Sequence, residues 1–328
     1  AGCRFGWGGG KDQRMTTRAV VKGVGHYLPE RVVPNSELET LVDTTDEWIK
    51  TRSGIERRHY AAEGQTTADL GTRAAQAALA DAGLLASDID AIIVATSTAD
   101  LTFPSAATMI QNGLGMTSGF AFDVQAVCAG FVYALTTANA LIVSGQVNRV
   151  LVIGAETFSR LMDWKDRSTC VLFGDGAGAL ILAAEQGYGT TADRGILATD
   201  IHSDGRFKDL LYVDGGSSTG TTGPLRMEGK EVFRHAVEKL AETAHASLEK
   251  IGLTGGDVDW IVPHQANIRI IEATAKRMQV PMDHVVVTVQ DHGNTSAASI
   301  PLALSVGKAR GQIKPGDLLV TEAIGGGF

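Results

Sequence analysis

Ala82-Gly83-Leu84, followed by Asp88-Ile89-Asp90-Ala91-Ile92-Ile93, recurs later in the chain as Ile251-Gly252-Leu253, followed by Asp257-Val258-Asp259-Trp260-Ile261-Val262. From Ile92 to Ile261 the offset is 169 residues. In both copies a helix stopped by glycine leads through an acidic turn into a short apolar run. Before the second copy, Val232, Phe233, Ala236, Val237, Leu240, Ala244, Leu248 and Ile251 recur every three or four residues, which predicts a helix with one apolar face. The runs 89–95 and 258–262 are apolar on both alternations, as expected of strands covered by helices on both sides. Two further matches follow in the same order: Val124-Gln125 with Val289-Gln290, at an offset of 165, and Leu151-Val152-Ile153 with Leu319-Val320-Thr321. Three ordered matches predict one α/β unit written twice, a layered α/β architecture with halves at residues 15–184 and 185–328. Beyond Phe173 the first half continues into an apolar strand at 179–184, whereas the second ends at Phe328, so its last strand is expected to be absent from the sequence as given.

The composition, 44% apolar and 20% charged over 328 residues, is that of a folded globular protein. A net charge of -8 argues against a general nucleic-acid binder, since nothing overall attracts phosphate, and any anionic partner must meet a local basic patch. Cys3, Cys128 and Cys170 form no paired spacing for zinc or disulfides, so no metal is expected and the compartment reads as reducing, hence cytoplasmic. No apolar run reaches the length of a membrane span. Residues 1–14 are Gly-rich and read as an appended or disordered leader; Met15, before a strand at 19–24, reads as the start, which leaves Cys3 without a role.

Cys128 follows a predicted strand at 120–124 and opens an apolar helix at 131–143, where the helix dipole and free N–H groups favour a thiolate. Taken alone, it reads more simply as a buried structural cysteine. His264 follows the strand at 258–262, at the carboxyl end where open α/β sheets place ligands. Asn294 lies in His292-Gly293-Asn294-Thr295-Ser296-Ala297-Ala298-Ser299, a small-residue turn entering a helix, and alone would be a cap. The repeat puts Cys128 and Asn294 at nearly equivalent points and brings the two helix starts together, with His264 on a neighbouring strand end. His292 is a weaker candidate than His264. Gly174-Asp175-Gly176-Ala177-Gly178-Ala179 resembles a nucleotide loop but is flanked by strand-like runs on both sides, so it reads as a tight turn.

At these residues the chain resembles the β-ketoacyl-acyl-carrier-protein synthase III family of thiolase-fold condensing enzymes. The likeness runs from Met15 to Phe328 through Asp46-Glu47-Trp48-Ile49, Arg52-Ser53-Gly54-Ile55, Cys128-Ala129-Gly130-Phe131, Phe173-Gly174-Asp175-Gly176-Ala177-Gly178, His264-Gln265-Ala266-Asn267, Gly293-Asn294-Thr295-Ser296 and Gly325-Gly326-Gly327-Phe328. The resemblance implies a two-half αβαβα fold and the opening condensation of fatty-acid synthesis. Cys128 is acylated by acetyl-CoA or a related short acyl-CoA, and malonyl-acyl-carrier protein then loses carbon dioxide and attacks. His264 and Asn294 are implied as donors to the malonyl thioester oxygen, and the N–H groups of Cys128 and Gly326 as the acyl oxyanion hole. Coenzyme A, a substrate rather than a cofactor, falls to Thr44, Trp48, Arg52, Arg167 and Asn267, with adenine between Trp48 and Arg167. Phe103 is implied to enter the partner subunit's acyl tunnel in a homodimer. Acidic carrier protein needs basic residues: Arg269, Lys276 and Arg277 on the helix after His264, with Gln265 beside them.

Other readings have less behind them. Degradative thiolases and elongating synthases place a second Cys or His where this chain has Asn294; plant-type polyketide synthases share Cys, His and Asn but not the whole-chain likeness. A papain-like protease has the same residue order, yet its cysteine signature is missing and a duplication has no place in that fold. A non-enzymatic binding protein would form no acyl-Cys128. The identity of the primer depends on pocket shape, which the sequence leaves open.

Overall fold

A computed structural model describes residues 15–327. The first half runs β1 (Thr16–Tyr27), β2 (Arg31–Pro34), α1 (Asn35–Leu38), α2 (Asp46–Ser53), β3 (Arg57–Tyr60), α3 (Thr67–Ala82), β4 (Ala91–Ala95), α4 (Ala106–Gly113), β5 (Phe120–Val124), α5 (Gly130–Val143), β6 (Arg149–Thr157), α6 (Arg167–Cys170) and β7 (Asp175–Gly187). The second runs β8 (Leu211–Gly216), β9 (Thr221–Met227), α7 (Gly229–Glu249), β10 (Trp260–Pro263), α8 (Ile268–Arg277), α9 (Val289–His292), α10 (Ser299–Ala309) and β11 (Leu319–Glu322). The 1–14 segment read as a leader, with Cys3, lies outside the described residues.

The repeated acidic pairs explain why both copies fold alike. Asp88 and Asp257 close the turn after each helix, taking the N–H of Leu85 and of Thr254 at 2.8 Å. Asp90 and Asp259 then anchor the neighbouring strand: Asp90 takes the N–H groups of Asn148 and Arg149, and Asp259 that of Leu318. Each motif therefore ends a helix, aims a strand and fixes the start of the strand beside it.

In the first half this gives a five-stranded sheet of order β1-β7-β6-β4-β5, with β4 parallel to β5 and β6, and β7 antiparallel to β6 and β1. In the second, β10 pairs in parallel with β11, and Ile261 bridges Val285. Ile92 and Val94 of β4 pack outward under α3 and α4, among Leu70, Ala74, Ala78 and Ile110. Ala91, Ile93 and Ala95 face inward to Phe131, Ala138, Ile300 and Ala303 of α5 and α10, which meet Val262 and Val286 on their other side. Beyond the second sheet, Ala244 and Leu248 of α7 and Ile271 of α8 cover Ile261 and Val320. The succession is helix, sheet, helix, sheet, helix. Each fully buried large side chain in it contributes about 1.5–3 kcal/mol, so the shared middle layer binds the halves more strongly than any single polar contact.

The pairing corrects two of the sequence matches. Ile92 pairs with Leu151 and Ile261 with Val320, so Leu151 corresponds to Val320 at the 169 offset, one residue from the alignment read in the sequence. Val289-Gln290 is not strand: it opens α9, and the counterpart of β5 lies at Val285. The Gly174–Ala179 stretch is no turn either. It follows α6 and becomes the first part of β7, with glycine where α10 presses on the sheet: a Cβ on Gly178 would lie 2.5 Å from the backbone of Pro301 and Leu302.

Candidate active site

The parallel strands β4, β5 and β6 end at one edge, and Cys128 stands there. After Val124 the chain turns through Val127, whose φ of 48° is left-handed. For a β-branched residue that conformation costs about 1–3 kcal/mol, and it delivers Cys128 to a 3₁₀ turn directly before α5. Cys128 is 3% exposed. Burial pushes its thiol up to about 12, with the Ser296 hydroxyl and the turn's own backbone pulling the other way. Desolvation thus outweighs the thiolate preference expected of a helix start, and the resting group is a thiol.

A second elbow faces the first. Ser296 has a φ of 50° and opens a 3₁₀ turn, Ser296–Ala298, before α10; it lies 169 residues from Val127, as the repeat requires. A Cβ on Gly130 would sit 3.6 Å from that of Ala297, so the two turns touch. The residue equivalent to Cys128 is therefore Ala297. Asn294 stands two residues before the second elbow, after the α9 turn, which brings the offset from 164 at β5's counterpart (Ala121 to Val285) back to 169 at the elbows.

Asn294 and His264 both reach this segment. Asn294 Oδ1 accepts the Ser296 N–H at 2.8 Å, which fixes the amide so that Nδ2 is left to donate. His264 follows β10 and its Nδ1 lies 2.6 Å from Ser299 Oγ. Ser299 Oγ also accepts the Gln265 N–H at 3.3 Å; with its own proton given to Nδ1, the His264 proton sits on Nε2, away from Ser299. Burial lowers His264 to about 3, so it is neutral and a hydrogen-bond donor rather than a base. Thiol, imidazole and amide all converge on residues 294–299. His292, also buried and lowered to about 3, instead packs edge-on against His59.

Four buried groups here were not singled out in the sequence: Glu156 at the end of β6, Ser296, Ser299, and Glu322 at the end of β11. Both serines stood inside the quoted Asn294 stretch, and the two acids end apolar strands, which was the available signal. Burial raises Glu156 to about 7 and Glu322 well above the usual carboxylate range. Gly325 crosses the first elbow so closely that a Cβ would lie 3.0 Å from Cys128 N, while Gly326 packs on Leu211 O.

Away from the centre, Trp48 carries two guanidinium groups, Arg52 at 4.4 Å and Arg167 at 5.0 Å from the ring, and Arg167 also donates to Asp43 O. Thr44 Oγ1 nearby is buried without a partner. Asn267 caps α8 through Ile270 N. Arg269, Lys276 and Arg277 are exposed on α8, with Arg269 over the Phe233 ring. Gln265 must be removed from the carrier-protein set. It is 1% exposed, donates to Pro263 O and Val286 O, and accepts from Thr288 N and Val289 N, so it braces the second sheet and offers nothing to a docking partner. Phe103, in the segment between β4 and α4, is 83% exposed.

A duplicated frame with a buried thiol on one elbow and a buried amide beside the other places the molecule among the thiolase-fold condensing enzymes. Residues 122–205 match the family described as 3-Oxoacyl-[acyl-carrier-protein (ACP)] synthase III, and residues 248–328 its C-terminal family. Beta-ketoacyl-[acyl-carrier-protein] synthase III of Cereibacter sphaeroides (strain ATCC 17025 / ATH 2.4.3) is 82% identical over 96% of this chain and 97% of its own length; that of Ruegeria pomeroyi is 79% identical over the same shares. Among solved structures, 3-oxoacyl-[acyl-carrier-protein] synthase III from Aquifex aeolicus VF5 superposes with a TM-score of 0.88 at 44% identity, covering 94% of this chain and 97% of the other. The enzyme from Pseudomonas aeruginosa PAO1 gives 0.89 at 41%, covering 95% of each. The chain belongs to the β-ketoacyl-[acyl-carrier-protein] synthase III family and is an acyltransferase.

Proposed function

We propose that Cys128 is the residue acylated in the reaction of this family, the initiating condensation of an acyl-CoA with malonyl-acyl-carrier protein. The observation that carries the reading is the meeting of Cys128, His264 and Asn294 on residues 294–299. Cys128 Sγ attacks the thioester carbonyl, coenzyme A leaves, and an acyl-enzyme remains. Malonyl-carrier protein then loses carbon dioxide. The electrons of the broken bond pass to the thioester oxygen, which His264 Nε2–H and Asn294 Nδ2 meet as neutral donors. The enolate carbon attacks the acyl carbonyl and expels Cys128. Gly326 N–H and Cys128 N–H are the donors assigned to the acyl oxygen.

Acetyl-CoA or another short acyl-CoA is the first substrate in this reading. Trp48, Arg52, Arg167, Thr44 and Asn267 receive the coenzyme; Arg167 now stacks on Trp48 itself, so adenine enters by separating them. Arg269, Lys276 and Arg277 receive the acidic carrier. The exposed Phe103 and Leu101, with Phe120 on β5, which is paired on one side alone, suit contact with a second copy in a homodimer. No helix of the described residues is long and apolar enough to cross a membrane, and a cytoplasmic enzyme is inferred.

Radiolabelled acetyl-CoA with malonyl-carrier protein tests the assignment. Acetoacetyl-carrier protein should form with Cys128 intact and not with Cys128→Ala. Absence of both product and acyl-enzyme across short acyl-CoA primers would refute it.

A further inference from the structure

Beside Cys128 and the donors, one buried carboxyl has a route to the thiol. Glu156 is fully buried at the carboxyl end of β6. Its Oε2 accepts from Thr98 Oγ1 at 2.6 Å, Thr96 Oγ1 at 3.2 Å and Ser97 N at 3.1 Å, whereas Oε1 has only the Ser97 N–H, at 3.2 Å. Oε1 therefore keeps lone-pair capacity. Ser296 lies across from it, fully buried, its hydroxyl within reach of both the Cys128 thiol and the Glu156 carboxyl but meeting neither at full hydrogen-bonding geometry. The close approach is enforced by backbone: a Cβ on Gly154 would lie 2.2 Å from Ala297 O, so β6 and the second elbow abut.

We propose that Glu156 is the proton acceptor for Cys128, acting through the Ser296 hydroxyl, during formation of the acyl-enzyme. This rests on the reading of Cys128 as the acylated nucleophile. As Sγ attacks the thioester carbon, the thiol proton passes to Ser296 Oγ while the hydroxyl proton passes to Glu156 Oε1. The carbon–sulfur bond to coenzyme A then breaks, its electron pair leaving on the coenzyme A sulfur. The proton returns by the same path to that sulfur, giving free coenzyme A thiol, the acyl-thioester on Cys128 and the Glu156 carboxylate. Nothing is oxidised and no outside base is consumed.

Charge accounting favours this route over a preformed thiolate. Cys128, Ser296 and Glu156 are all buried, and a second anion beside Glu156 is opposed by the carboxylate, one of the groups holding the thiol up. Moving the proton from sulfur to carboxyl keeps one negative charge in the pocket throughout. Glu156 sits close to neutrality in its proton affinity, at about 7, so it can both take a proton and return it. Burial lowers His264 to about 3, which makes it the weaker proton acceptor of the two. The groups bearing on Glu156 from the elements around it are Thr96, Ser97 and Thr98 after β4, and Ser296 and Cys128 on the two elbows; Cys128 alone among them titrates.

Single-turnover acylation by radiolabelled acetyl-CoA, followed from pH 5.5 to 9 on the full chain, separates the outcomes. The wild-type rate should rise with an inflection near 7 as Glu156 ionises. Glu156→Gln should slow acylation about 100-fold and abolish that inflection, Glu156→Asp should recover part of the rate, and Ser296→Ala should resemble Glu156→Gln. The double variant should be no slower than either single one. A Glu156→Gln enzyme that acylates as fast as wild type, or more slowly with the inflection retained, overturns the relay. Should circular dichroism show Glu156→Gln unfolded, the Ser296→Ala profile decides by the same criteria. Wild type giving no acyl-Cys128 at all refutes the nucleophile assignment; wild type acylating normally with both variants unaffected refutes the relay alone.

Discussion

Removing one hydroxyl two shells from the reacting atoms should separate the two halves of the reaction. Ser299 holds His264 Nδ1 at 2.6 Å and takes the Gln265 N–H at 3.3 Å. In Ser299→Ala the imidazole keeps its place behind β10 but loses the group that selects the Nε2–H tautomer. A buried neutral hydrogen bond of this kind is worth about 0.5–1.5 kcal/mol net. The enolate step should therefore slow by up to about tenfold, since 1.4 kcal/mol is a factor of ten. The hydroxyl beside Cys128 is that of Ser296 and not Ser299, so acyl-enzyme formation should stay within about twofold. The orphaned Gln265 N–H costs about 1–3 kcal/mol of stability, visible as a melting temperature lower by several degrees. Quenched-flow acylation and steady-state condensation, measured on the same preparation, give both numbers. Equal losses in the two steps, or undiminished condensation, would refute the tautomer argument.

Three further perturbations follow from the geometry. Trp48→Ala removes the ring under Arg52 and Arg167; base–aromatic stacking is worth about 1–3 kcal/mol, so KM for the acyl-CoA should rise about tenfold or more with kcat little changed. Arg269→Glu with Lys276→Glu should raise KM for malonyl-carrier protein, leave acylation by acyl-CoA unaltered, and lose its effect as salt is added, which a salt titration of the two half-reactions checks. Glu322→Gln should raise the melting temperature at pH 8 more than at pH 4.5. The carboxyl is raised in the fold because it is buried, with neither oxygen bonded; the folded state keeps a proton that the unfolded chain has lost above about 4.5, so wild-type stability falls as pH rises past that point. His264 and His292 act with the opposite sign: lowered to about 3, they stay unprotonated where the unfolded chain charges, and stability is lost as pH falls from about 6.5 toward 3.

The elements that could be read in the sequence were those whose pattern is local. The strand expected at 120–124 is β5, and the helix expected at 131–143 is α5 with one added residue. The strand expected from Ile89 starts at Ala91, because Asp90 spends its carboxyl on the next strand and Ile89 still belongs to the turn. The glycines of 174–179 misled because their cause is tertiary: only the arrival of α10 makes them strand residues rather than turn residues. Protonation was the least legible property. A helix start predicts a thiolate at Cys128 and a polar surface role suits Gln265, yet both are decided by burial, which no local pattern carries.

The duplication explains why the chemistry sits where it does and why it is asymmetric. Two left-handed turns, at Val127 and Ser296, are kept at the same offset as the strands and meet across the middle layer. Symmetry alone would give two equal elbows. Five residues in the second half break it, the difference between the 164 offset of the bridged strands and the 169 offset of the elbows, and they are the α9 turn that ends at Gly293. That insertion places Asn294 before the second elbow, where its carbonyl can seize the Ser296 N–H and its amide is left over. With Ala297 at the position equivalent to Cys128, the second elbow carries no thiol and presents the Ser296 hydroxyl and the Asn294 amide. In the proposed mechanism the halves divide the labour: the first supplies the sulfur and the Glu156 carboxyl, the second the neutral donors. Transplanting the sulfur, as Cys128→Ala with Ala297→Cys, should then fail to restore acylation, because the thiol would leave the position from which the Ser296 hydroxyl links it to Glu156 in the proposed relay.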